Sequence, residues 1–163
     1  FKSFLSPSSK RVQAHAVYAR LVTQARQPFF YREAGVPDTL DGRFEMVLLH
    51  LFLVLRRLQR EPGKRAEAFA CELTQAFFGD MDRSLREMGV SDTGVGKRVK
   101  KMGAAFYGRL DAYTKALGSG DFNGALKRNA YGTVEAADEA VARLAEYVRT
   151  SEAALGAQPA DEI

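Results

Sequence analysis

His50, His15, Cys71 and the pair Asp80 and Asp82 are the residues whose types best suit catalysis or metal binding in this chain. An imidazole titrates near neutral pH and could serve as a general base, provided that a carboxylate orients it. His50, however, interrupts the run from Met46 to Leu55, the most apolar stretch of the sequence. A histidine there is expected to be neutral and hydrogen-bonded, either in the core or against a partner. His15 falls on the surface or rim of the first helix. Cys71 lies one residue off the apolar stripe of its helix and reads as a small buried hydrophobe rather than a nucleophile. Asp80 and Asp82 are two apart, so a helix points them in different directions. They make a poor acid–base pair and poor joint ligands; solvated charges facing Arg83 and Arg86 are the simpler reading. The chain has no pair of cysteines, no His-x-x-x-His and no Glu-x-x-His, so no metal and no cofactor is expected. These residues point away from an enzyme and from a small-molecule substrate.

Phosphate chemistry has one weak foothold. Gly94-Val95-Gly96-Lys97 resembles the tail of a nucleotide-binding loop, but the first glycine of that pattern is missing and Arg98 replaces its Ser or Thr. No strand precedes it. The segment does open a helix, where free N–H groups and the dipole favour an anion. Lys97, Arg98, Lys100 and Lys101 follow within five positions. Cations at a helix N-terminus cost about 0.3–1 kcal/mol each, so this cluster is either a docking surface for an anionic partner or a solvated face. Aromatics are not interleaved with it as a base-stacking surface requires. Sequence-specific nucleic-acid reading is therefore not expected, whereas contact with phosphates of RNA or lipid is.

The elements that must carry these residues are helical. Apolar residues recur at spacings of three and four throughout, with no β-branched alternation long enough for a sheet. Residues 1–9 read as a frayed lead-in. Ser9 is a candidate N-cap for a helix from Lys10 to Gln27, which Pro28 ends. Phe29-Phe30-Tyr31 then reads as a turn. The second helix, capped by Asp41 and closed by Arg56, Arg57 and Arg60, is apolar nearly all round and is expected at the centre. The third, Lys64 to Met88, turns Phe69, Leu73, Phe77, Met81, Leu85 and Met88 inward, with Asp82 and Arg86 paired outside. The fourth, Asp92 to Leu117, turns Val95, Val99, Met102, Phe106, Leu110, Tyr113 and Leu117 inward. Its interior Gly103 and Gly108 each cost roughly 1 kcal/mol against Ala, which calls for close approach of a neighbouring backbone. A short helix capped by Asp121 and a last one from Val134 to Leu155 complete the chain, and residues 156–163 read as a disordered tail. The expectation is an all-α, single-domain bundle of about six helices, residues 10–155, around a buried central helix.

Composition agrees. The chain has 163 residues, 46% hydrophobic and 27% charged, with a net charge of +4. That excludes a disordered chain and permits an anionic partner. One cysteine rules out an internal disulfide and fits a reducing compartment. No run approaches the roughly 20 apolar residues of a membrane span.

Three segments carry a resemblance to a known family. They are GVPDTLDGRFEMVLLHLFLVLRRL (residues 35–58), FFGDMDRSLREMGVSDTGVGKRVKKMGAAFYGRLDAY (residues 77–113) and the weaker ALKRNAYG (residues 125–132). Together they resemble the ubiquinol–cytochrome c chaperone family, whose members help assemble the cytochrome bc1 complex. The resemblance implies an all-α fold and no catalysis. It implies a bacterial member that binds newly made cytochrome b or another bc1 subunit. By analogy with mitochondrial members, a small partner protein and the ribosome are further expected partners. The location implied is cytoplasmic, with peripheral contact to the cytoplasmic face of the inner membrane. The family offers no catalytic residues. Among matching positions, Asp80, Asp82, Arg83, Arg86, Lys97, Arg98, Lys100 and Lys101 are candidate partner contacts. His50 and Tyr107 are candidates to line a groove or to serve the core. The rival reading is a ribosome- or RNA-binding module acting through the basic helical face.

Overall fold

The computed structural model describes residues 7–159 and 162, and no strand occurs among them. In chain order the helices are α1 (Pro7–Ala25), α2 (Pro28–Arg32), α3 (Leu40–Gln59), α4 (Lys64–Glu87), α5 (Asp92–Ser119), α6 (Phe122–Asn129) and α7 (Asp138–Ala157). The all-α expectation holds.

α3 is the axis of the bundle. Every residue from Glu45 to Leu55 is buried, because α1, α4, α5 and α7 all pack against it. A helix apolar on all sides is stable only when neighbours cover all of it. Its start is fixed by Thr39, whose side chain accepts from the Gly42 N–H at 3.2 Å, so Thr39 caps it in place of Asp41. Gly42 is required by packing: a Cβ there would lie 1.9 Å from the Pro37 carbonyl oxygen. At the other end the three arginines do more than complement the dipole. Arg56 and Arg60 both reach Glu152, at 2.5 and 2.7 Å. The buried Arg57 donates to the carbonyls of Leu155 and Gln158, each at 2.9 Å. The last turn of α7, with carbonyls that lack helical partners, is thereby fastened to α3.

Other boundaries differ from expectation for identifiable reasons. α1 already runs from Pro7, which places Ser9 inside it; the first six residues of the expected frayed stretch lie outside the described ones. The aromatic turn is a helix, α2, because Pro28 both stops α1 and occupies N1 of a new one. The last helix starts at Asp138, four residues later than expected. Tyr131 donates its hydroxyl to the carbonyl of Ala34 at 2.5 Å, pinning the connector across the bundle, and Val134 is left 47% exposed. Met88, expected inside, is 51% exposed because α4 ends before it. Gly89, at φ +81°, takes the left-handed conformation that ends that helix.

Candidate functional site

The residues expected at a docking surface divide into two sets. Those on α4 are occupied within the chain. Asp80 accepts from the Tyr18 hydroxyl at 2.8 Å and from Arg83 at 3.1 Å, tying α4 to α1. Asp82 pairs with Arg86 at 2.8 Å, and Arg86 also reaches Asp92 at the start of α5. Their charges are largely neutralised in place. Lys97, Arg98, Lys100 and Lys101 on α5 behave differently. All four are exposed, and none forms an ion pair among the described residues. The N-terminus of α5 is not an open anion cradle, because the Ser91 hydroxyl takes the Gly94 N–H at 3.3 Å.

Beside these cations lies aromatic surface. Phe44, Phe77 and Phe106 run outward through the core with centroids 5.8 and 5.3 Å apart. Phe106 meets Tyr107 edge-on at 5.0 Å, and Tyr107 is 63% exposed. The half-buried Phe78 lies 3.7 Å from where a Gly103 Cβ would stand. That is an ordinary contact distance, so Gly103 is not forced by packing. Among the described residues, nothing beyond the neighbouring backbone of α5 itself approaches Gly96 or Gly108 within 4 Å of that position. The close backbone neighbour expected at Gly103 and Gly108 is thus absent from the described residues, where Gly103 meets only the Phe78 ring. At about 100° per residue, Gly96, Lys100, Gly103 and Tyr107 share one face of α5. The arrangement suits a flat contact with another helix, edged by positive charge.

His50 lies elsewhere. It is 4% exposed and lines no open groove. Its Nδ1 donates to the Met46 carbonyl at 2.7 Å, which leaves Nε2 to accept from the Tyr147 hydroxyl at 2.8 Å. Gln24 donates in turn to Tyr147 at 3.2 Å, so the chain of bonds joins α1, α7 and α3. Burial pushes the imidazole down to about 4, keeping it neutral. No carboxylate orients it, and as a base it has no access to solvent.

Other details correct or extend the sequence reading. Cys71 is exposed rather than a buried hydrophobe. Glu45 and Arg109 were not anticipated. The carboxylate, 6% exposed, accepts from Arg109 at 2.7, 3.0 and 3.1 Å and ties α5 to α3. Burial raises the Glu45 pKa, and the Arg109 guanidinium opposes that rise. The signal was available, since Glu45 is the one acid of the most apolar helix beyond its first turn. Among the described residues no three His, Cys, Asp or Glu side chains could hold a metal ion. No described helix is long and apolar enough to cross a membrane. The hollow beside α6, lined by Tyr131, Val134 and Ala136, is flanked by the paired Lys127 and Asp138 and gathers no catalytic set.

Comparison with known proteins gives this geometry a context. The sequence profile of the family described as Ubiquinol-cytochrome C chaperone matches residues 32–163. The ubiquinol-cytochrome-c reductase complex assembly factor 1 of Xenopus laevis is 25% identical over 142 residues, covering 85% of this chain and 70% of that protein. Its Drosophila melanogaster namesake is 24% identical over 167 residues, covering 96% of this chain and 64% of the fly protein. Among solved structures, the Cbp3 homolog from Brucella abortus aligns with a TM-score of 0.81 at 39% identity, over 94% of this chain and 86% of that one. The matched segment takes in the α3 axis and the whole α4–α5 face, and the chain belongs to the ubiquinol-cytochrome C chaperone family.

Proposed function

We propose that this chain is an assembly chaperone of the cytochrome bc1 complex that holds newly made cytochrome b without catalysing a reaction. Family membership over residues 32–163 is the observation that carries this reading. Two of the relatives are named as assembly factors of the ubiquinol–cytochrome c reductase complex. The α4–α5 face supports it physically. A nascent apolar helix has no water-compatible surface, and a flat stripe around Gly103 with Phe78 and Tyr107 beside it can cover one. Lys97, Arg98, Lys100 and Lys101 then meet phosphates of the ribosome or of lipid headgroups at the site of synthesis.

The test is genetic and then structural. Cells lacking the gene are expected to lose cytochrome b and assembled bc1 complex. The wild-type gene restores both, whereas Tyr107→Asp, which alters an exposed side chain, does not, although the variant stays folded by circular dichroism. Normal bc1 content in the deletion strain would end the proposal. The unpaired α5 cations keep the ribosome reading in view: steeply salt-dependent ribosome binding, abolished by Lys97→Glu with Lys100→Glu and Lys101→Glu, would assign them to RNA phosphates.

A further inference from the structure

The outer side of α5 reads as complementary to itself when the sequence is run backwards from Ala104. Val95 and Tyr113, both buried, stand nine residues before and nine residues after Ala104. At about 100° per residue both point directly away from it, so Ala104 marks the middle of the outer face. Lys97 lies seven residues before Ala104 and Asp111 seven after. Lys101 lies three before and Tyr107 three after; Lys100 lies four before and Gly108 four after. All of these positions are exposed, and they share a sector of about 120°.

Two copies of α5 laid antiparallel, with a two-fold axis at Ala104, set each of these residues against its counterpart on the other copy. In a contact of this symmetry every pairing occurs twice. Lys97 meets Asp111 as an ion pair. The Lys101 ammonium meets the Tyr107 ring, whose face attracts a cation. Lys100 lies over Gly108, and the small Ala104 sits on the axis, so the two helices can approach. Within its own chain Asp111 is held by Lys115 at 2.7 Å, with both side chains exposed, a pairing weak enough to be shared. Antiparallel order also keeps the two lysine groups about 15 Å apart along the axis, beyond the screening length of about 8 Å. An RNA or lipid surface would instead be repelled by the acid at Asp111.

We propose that the outer face of α5 pairs with its own copy, joining two chains antiparallel about Ala104. This concerns the chain itself and stands whether or not the same face receives a client. A single helix crossing buries less than the about 1,200–2,000 Å² of a standard interface, so the pair is weak and forms as concentration rises. Analytical ultracentrifugation of the whole chain, with a thiol present to keep Cys71 reduced, should show the mass climbing from one chain toward two with concentration. Added salt should lower it again. Lys97→Asp alone, or Asp111→Lys alone, sets like charges opposite one another twice and should weaken association roughly tenfold. Mixed in equal amounts, the two variants should associate as well as the wild type, because both crossings are then attractive. A second readout locates the contact: in a Cys71→Ser background, Ala104→Cys is expected to cross-link to its copy when diamide is added, and the exposed α7 position Thr150→Cys is not. A single-chain mass at every concentration, a mixture no tighter than either variant alone, or cross-linking at Thr150 equal to that at Ala104 overturns the proposal. Association untouched by either charge variant overturns it in favour of another face.

Discussion

His50 stays neutral because its surroundings offer a proton acceptor on one side, a hydroxyl on the other and no charge. Its pKa falls from 6.5 to about 4 on folding. Between those values the unfolded chain binds more protons than the folded one, so stability rises with pH across that window. The contribution is complete above about pH 6.5 and is lost as the pH falls toward 4, a change of up to about 3 kcal/mol. Urea midpoints measured between pH 7 and 4.5 should therefore fall for the wild-type chain. His50→Leu should flatten that part of the profile; an equally steep fall in the variant would show that His50 is not the titrating group. The sequence placed this histidine among apolar neighbours and so anticipated its neutrality. It could not supply Tyr147, a partner 97 residues away. Lone polar residues in apolar helices are legible as demands for a partner, but the identity of the partner is a property of the assembled bundle.

Helix periodicity and punctuation located α3, α4, α5 and α6 closely, because each is bounded by Gly, Pro or a capping side chain. Asp121 caps α6 as its position suggests, accepting from the Gly124 N–H at 3.2 Å. The misplacements fall where a distant contact decides. α7 begins late because Tyr131 is tethered to the linker before α3, and nothing local signals that tether. The Glu45–Arg109 pair is one such tie between elements, joining α3 to α5 through a carboxylate whose pKa burial raises and the guanidinium opposes. Removing one partner leaves an uncompensated buried charge, which costs about 3–5 kcal/mol. Arg109→Met should lower the thermal midpoint accordingly, and adding Glu45→Leu should recover much of the loss. A double variant no more stable than the single one would mean that the ion pair is not what Arg109 contributes. The proposed docking face was legible only in part. Its cations and glycines stood out in the sequence, whereas the division between occupied α4 charges and free α5 charges required knowing which carboxylates lie within reach.

One core, gathered around α3 from four sides, makes the molecule a single cooperative unit. Far-UV circular dichroism, which reports helix, and near-UV signal from the buried Tyr113 and Tyr131 should lose intensity at the same urea concentration. Separate midpoints would mean that α6 and α7 melt apart from the rest. Around this rigid unit the charge is unevenly shared, with the excess at the beginning of the chain and a slight deficit after it. That imbalance gives the molecule a preferred orientation in any external field. A different consequence attaches to Cys71, which is exposed and has no second thiol in the chain to meet. Oxidation between protein thiols can join only two molecules, through α4 of each. Purified without reductant, the protein would accumulate a covalent pair joined through α4, and adding a thiol would return it to single chains.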